Sequence, residues 1–243
     1  MRFSAKTLAL LACLIGLAGC AVPPAPPPAA SPPGAAAPAL LNPEQAARQF
    51  ARVVDEVEPA AEAECRARQP RLNCDYAIVV DTRPGLPPNA FQTIDRDGRP
   101  VIGFTIAMVA EARNPDELAF VMAHEAAHHI RAHIPRQQRN AAAGAVLLGG
   151  LAALSGADGQ AIRSAQDLGA QVGARSYSKD YELEADILGT VIAARSGFDP
   201  VKGAAFFGRT PGPGNRFLGT HPPNVARIEA VRRTAARLQV RGG

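Results

Sequence analysis

Tryptophan is absent from these 243 residues, tyrosine occurs three times, and aromatic side chains make up only 5% of the chain. Charge of either sign is not in large excess. There are 26 basic and 22 acidic residues, and Arg2 and Lys6 of the extreme N-terminus contribute to the basic side. No run of lysine or arginine interleaved with aromatics occurs, which excludes a nucleic-acid partner. Long apolar runs are also missing. The two best, residues 8–17 and 141–154, are shorter than the roughly 20 residues a membrane-spanning helix needs. Cysteine is scarce, with four in all and no CxxC pair, so the spacing argues against a thiolate zinc cluster.

What is present begins with a targeting segment. Arg2 and Lys6 form a positive start, residues 8–17 an apolar core, and Leu17-Ala18-Gly19-Cys20 resembles a bacterial lipobox. This predicts a signal peptide over 1–19, cleavage before Cys20, and lipidation of that cysteine. Ala21 resembles the residue found in signals sent on to the outer membrane, so the expected location is periplasmic, lipid-anchored to the outer membrane. Residues 20–41 carry the lipidated cysteine and a Pro/Ala-rich stretch, read as an extended tether. The folded domain is expected over 42–243, opening at the helix-start signal Asn42-Pro43. In an oxidising compartment Cys65 and Cys74, nine apart, are expected to form a disulfide, with two free thiols as the alternative.

Residues 124–128 read His124-Glu125-Ala126-Ala127-His128. Positions i and i+4 share a helix face, so both imidazoles can bind one cation while Glu125 reaches a water on it. Asn114, Pro115, Asp116 and Glu117 form a strong helix start ahead of this motif, and Glu117 has the spacing to reach back to Asn114. Leu118, Phe120, Val121, Met122, Ala123, Ala126, Ala127 and Ile130 make the helix apolar nearly all round, hence buried, and Pro135 limits its length. A buried histidine pair needs partners, which a metal would supply. A catalytic zinc site takes a third protein ligand and keeps one position open. Glu182 and Asp186 are again i and i+4 on an expected helix. One can bind the metal and the other can accept a hydrogen bond from a ligating histidine. His129 and His133 lie about 100° around from the metal pair and are read as packing or surface residues.

HExxH followed by E-x-x-A-D resembles the gluzincin peptidases related to HtpX, BepA and the CAAX prenyl endopeptidases. The resemblance runs from about residue 43 to 236. It implies zinc, one ion per chain, held by His124, His128 and Glu182, with Asp186 supporting a ligand and Glu125 as general base. Glu184, on another face, is not nominated. Asn89-Ala90-Phe91 resembles the segment that opens the family's edge strand, and His221-Pro222 with Arg227 its C-terminal H-P-x-x-x-x-R element. The resemblance puts His221 near the metal, either occupying the open position or steadying the oxyanion, and gives Arg227 a role in substrate binding or charge stabilisation. Both are carried as catalytic candidates.

The expected fold is α+β: a mainly helical gluzincin-type metalloprotease domain with a small β-sheet whose edge strand flanks the active-site helix. Residues 43–68 pattern as a helix, 76–80 as a strand, and 91–94 with 100–104 as a hairpin turning at Asp95-Arg96-Asp97-Gly98. A short helix is expected over 106–112, one from Glu182 to about Ser196, a loop over 209–216 and a last helix over 224–240. Residues 140–174, rich in alanine and glycine, read either as a mobile lid or as a buried helical hairpin. The function expected is a zinc endopeptidase of the bacterial envelope acting on unfolded or misfolded envelope proteins. The alternative is a chaperone-like outer-membrane assembly factor with gated or low proteolysis, which would bring the outer-membrane assembly machinery in as a partner.

Overall fold

The computed structural model describes residues 41–175, 178–209 and 225–241, all within the unit Pro38–Gly243. Residues 1–40, with the signal, Cys20 and most of the tether, lie outside the described residues, and so does His221.

Helix α1 (Pro43–Arg68) starts at a full capping box. The Asn42 side chain accepts from the Gln45 N–H at 2.9 Å, and the Gln45 side chain accepts from the Asn42 N–H at 3.2 Å. Its buried stripe of Ala46, Val53, Val57 and Ala61 enters the core. At its C-terminal end a disulfide joins Cys65 to Cys74, with Cα atoms 5.8 Å apart. The chain then enters the sheet: β1 (Ala77–Asp81), β2 (Ala90–Ile94) and β3 (Pro100–Thr105), in the order β1-β3-β2. β1 runs parallel to β3, and β2 and β3 form the expected antiparallel hairpin, Ala90 opposite Phe104 and Ile94 opposite Pro100. Asp95 shapes the turn by accepting from the Asp97 and Arg99 N–H groups at 2.9 and 2.8 Å. β2 is therefore an edge strand, and it packs beside the HExxH helix.

α2 (Ile106–Glu111) leads to α3 (Pro115–Ile130), the central helix. Asn114 caps it, accepting from the Glu117 N–H at 3.1 Å. The reach-back of Glu117 goes one residue beyond the expected one: its carboxylate accepts from the Arg113 N–H at 2.9 Å and from the Asn114 side-chain amide at 3.0 Å. Nearly every side chain of α3 is buried, because α1, the sheet, α6 (Ser178–Arg195) and α7 (Pro200–Ala204) surround it. α8 (Phe206–Arg209) and α9 (Val225–Arg241) complete the described elements. Gly189 lets α6 lie against α3 at close range: a Cβ there would stand 3.0 Å from the backbone nitrogen and Cα of His124.

α3 stops at Ile130, well before Pro135. Ala132 takes a left-handed conformation, φ 54°, and redirects the chain into α4 (His133–Leu154). Pro135 falls in the first turn of α4, where its missing N–H leaves no intrahelical bond unmade. α4 and α5 (Gly159–Arg175) form a hairpin of two continuous helices, and most of it is exposed rather than buried. Its seam is glycine on glycine: a Cβ on Gly144 would fall 2.0 Å from the Gly169 carbonyl oxygen. Val146, Leu147, Leu151, Leu154, Leu168 and Val172 point outward. No described helix is long and apolar enough to cross a membrane.

Candidate active site

α3 and α6 bring three donor groups to one point. His124 Nε2 and His128 Nε2 are 3.0 Å apart. Glu182 Oε2 is 3.4 Å from His124 Nε2, and Glu182 Oε1 is 3.4 Å from His128 Nε2. Three donors at the corners of a tetrahedron with bonds of about 2 Å stand about 3.3 Å from one another. The donor set, two imidazoles and a carboxylate, is that of a first-row divalent cation. Two ring nitrogens this close also need a proton or a cation between them.

The surroundings favour positive charge. Burial works against a charged His124 ring, yet Asp186 and Glu182 outweigh it and lift its pKa to about 9. His124 Nδ1 lies 2.9 Å from Asp186 Oδ1, so that carboxylate holds the ring proton on Nδ1 and leaves Nε2 facing the other donors. Arg227, third residue of α9, grips the same carboxylate: Nε donates to Oδ2 at 2.6 Å and Nη2 to Oδ1 at 2.8 Å. Burial opposes the charge on Asp186, but Arg227 and His124 prevail and hold the carboxyl below its usual range. Arg227 Nη1 also stands 3.1 Å from Glu182 Oε2, and the guanidinium carbon lies 4.5 Å from the centre of the Phe207 ring. At 1% exposure, Arg227 braces two acidic side chains of α6 from beneath. Two roles are expected for it, substrate binding or charge stabilisation, and these contacts are with the acidic side chains of the site itself.

A groove of about 400 Å³ opens over the cluster. Asn89, Ala90, Phe91 and Gln92, at and beside the edge strand, line one part of it, and His133, Ile134 and Gln137 of α4 another. Glu125, His128 and Glu182 also face it. Glu125 therefore sits beside the donor cluster and on the groove at once, and Asn89-Ala90-Phe91 sits at the strand edge the resemblance implied.

His129 and His133, expected alike as packing or surface residues, have different surroundings. His129 is a packing residue: its Nε2 lies 2.8 Å from the Asn73 carbonyl oxygen, and its ring meets Tyr76 edge-on. His133 corrects the expectation. Its Nδ1 is 2.8 Å from His128 Nδ1, and its Nε2 is 3.3 Å from Glu184 Oε2. The ring stacks on Tyr181 with centroids 4.6 Å apart. Burial outweighs the pull of Glu184 and pushes the His133 pKa down to about 4, so the ring is neutral near pH 7. A 100° separation holds only along one unbroken helix, and the left-handed Ala132 turns His133 back onto His128. Glu184, passed over because it lies on another face of α6, meets α4 through that face. Arg136 donates to its two oxygens at 2.6 and 3.1 Å. The alternating acids Glu182, Glu184 and Asp186 were the signal that could have found this.

Comparison with known proteins agrees with the geometry. The chain is 32% identical over 153 residues to the beta-barrel assembly-enhancing protease of Escherichia coli O157:H7, and equally to the proteins of that name from Escherichia coli K12 and Shigella flexneri. The match covers 55% of this chain but only 30% of each relative, so the chain spans less than a third of their length. The model of peptidase family M48 matches residues 47–235, from the first turns of α1 into α9. A helix bearing HExxH and a second helix bringing Glu182 onto it lie inside that span, and the chain belongs to peptidase family M48: it is a metallopeptidase.

Proposed function

We propose that this metallopeptidase is a zinc endopeptidase of the bacterial envelope, anchored through lipid on Cys20 and facing the periplasm, where it degrades misfolded or mislocalised periplasmic and outer-membrane proteins. The observation that carries the catalytic part is the convergence of His124, His128 and Glu182 next to Glu125 in an open groove. His124, His128 and Glu182 would hold the zinc, which when bound would supply Lewis acidity. Glu125, facing the groove, would take a proton from the attacking water and pass it to the leaving amine. Asp186, held by Arg227, keeps His124 in the tautomer that offers Nε2. The outer edge of β2, which no described strand pairs, offers backbone N–H and C=O groups to an extended peptide, which suits unfolded chains of varied sequence. The lipobox and tether support the envelope location, and the similarity to the beta-barrel assembly-enhancing protease of Escherichia coli supports the substrate class.

The relatives' name, an enhancer of barrel assembly, favours one second reading: an outer-membrane assembly factor whose proteolysis is gated. His221 would then be the gate. Comparing basal cleavage of a denatured model protein by wild type and His221→Ala separates the two readings, since a large gain points to the gated form.

The catalytic reading is tested with Glu125→Gln. The variant should retain zinc and lose cleavage of an unfolded protein by about 10²–10⁴-fold. Cleavage at the wild-type rate would sink it.

A further inference from the structure

Each histidine of the donor cluster has its second ring nitrogen engaged, but by different means. For His124 the partner is a carboxylate, Asp186. For His128 it is another histidine. His128 Nδ1 and His133 Nδ1 are 2.8 Å apart, so one nitrogen carries the proton and the other a lone pair. The choice matters. With the proton on His128 Nδ1, its Nε2 presents a lone pair toward His124 and Glu182. With the proton on His133 Nδ1, a neutral His128 carries hydrogen on Nε2 and cannot ligate.

Glu184 decides between these states. Its carboxylate only accepts, and its Oε2 lies 3.3 Å from His133 Nε2. A proton there makes the contact a hydrogen bond, while a lone pair there would face a negative oxygen. Arg136 orients the Glu184 carboxylate with a two-point grip. Stacking on Tyr181 fixes the plane of the His133 ring, and Asn140 donates to the Tyr181 hydroxyl at 2.8 Å. We propose that His133 and Glu184 are positioning residues for the second histidine ligand: Glu184 holds the His133 proton on Nε2, His133 Nδ1 accepts from His128 Nδ1–H, and His128 Nε2 is thereby aimed at the metal. Helix α6 thus sets both ligand histidines, directly through Asp186 and across one imidazole through Glu184. The inference rests on the reading of His128 as a metal ligand.

The test uses the full chain carrying Glu125→Gln, which prevents self-cleavage. Zinc affinity is measured by competition with a chelator, and histidine tautomers by long-range ¹H–¹⁵N correlation in the zinc-loaded protein. The parent should show His128 protonated on Nδ1 and His133 on Nε2. His133→Leu removes the acceptor and should weaken zinc binding by about 10–100-fold. His133→Asn, whose Oδ1 can replace the ring Nδ1 as acceptor, should stay within roughly threefold of the parent. Glu184→Ala leaves the ring in place and, should His133→Leu fail to fold, carries the test alone: it should weaken zinc by about tenfold and release the His133 tautomer. Equal losses in His133→Leu and His133→Asn, a His133 proton on Nδ1 in the parent, or unchanged affinity and tautomer in Glu184→Ala would each overturn the proposal. A parent that takes up no zinc overturns the metal reading itself, and is distinguished by that.

Discussion

The Arg227 guanidinium closes on the Asp186 carboxylate with two hydrogen bonds, of 2.6 and 2.8 Å, and both side chains are buried. This joins α9 to α6 directly behind His124. A lysine keeps the charge but cannot grip both oxygens. Arg227→Lys is therefore expected to cost about 3 kcal/mol of stability in urea unfolding, the scale of a broken buried pair. Zinc affinity should fall with it. A loss equal to that of a surface arginine would show that the pair is not what holds α9 in place.

Gly189 sets the distance between the two helices that form the site, since a Cβ there meets the His124 backbone at 3.0 Å. Gly189→Val should push α6 away from α3, destabilising the chain by about 1–3 kcal/mol. The displacement would also separate Glu182 from the two histidines. Calorimetry with and without zinc checks both effects, and an unchanged shift of Tm on adding zinc would contradict the second.

Tyr76 is fully buried and donates its hydroxyl to the Ala126 carbonyl of α3 at 3.3 Å. Burial, reinforced by Glu62, raises its pKa above the ordinary value of 10.0. In the unfolded chain Tyr76 loses its proton near pH 10, whereas in the folded chain it keeps it to higher pH. The folded state then binds more protons than the unfolded one, so stability is full below pH 10 and is lost as pH rises beyond it. Urea unfolding between pH 8 and 11.5 should show a steeper alkaline decline in wild type than in Tyr76→Phe. Parallel declines would rule out Tyr76 as the source.

None of the residues of the α4–α5 hairpin belongs to the hydrophobic core cluster. Its two helices meet at Gly144 and Gly169, which places the ends of a deletion of residues 144–170 near each other. The shortened chain should fold with an unfolding free energy in urea within about 1 kcal/mol of wild type and still bind zinc. Ile134 and Gln137, which line the groove, are retained but lose the rest of the hairpin that continues from them, so peptide cleavage preference should change. Unfolding of the deletion variant would instead show that the hairpin supports the core.

The site was legible where it depended on one helix. His124, Glu125 and His128 follow from 3.6 residues per turn, and Glu182 with Asp186 from the same period on α6. His133 and Glu184 were not legible, because their contact spans a left-handed residue and two helices. Helix periodicity says nothing of where a chain goes after Ala132. Arg227 was legible as a residue, but its contacts with Phe207 and Asp186 were not, since they come from packing that no local pattern encodes.

The hairpin shows the same division. Its alanine and glycine content suggested a mobile lid or a buried pair, and the structure has two continuous helices with their apolar side chains outward. Glycine is a poor helix former alone, but here it permits backbone-to-backbone contact that offsets its propensity.

By itself the sequence determined the starts of α1 and α3, the β2–β3 hairpin and the HExxH pair, because each rests on short-range periodicity, capping or turn chemistry, while the choice of Glu182 over Asp186 as the pair's carboxylate partner came from the family resemblance. Tertiary structure alone decided which nitrogen of each histidine faces the cluster. That depends on Asp186, on His133 with Glu184, and on Arg227, groups brought together from α4, α6 and α9 only when the chain is folded.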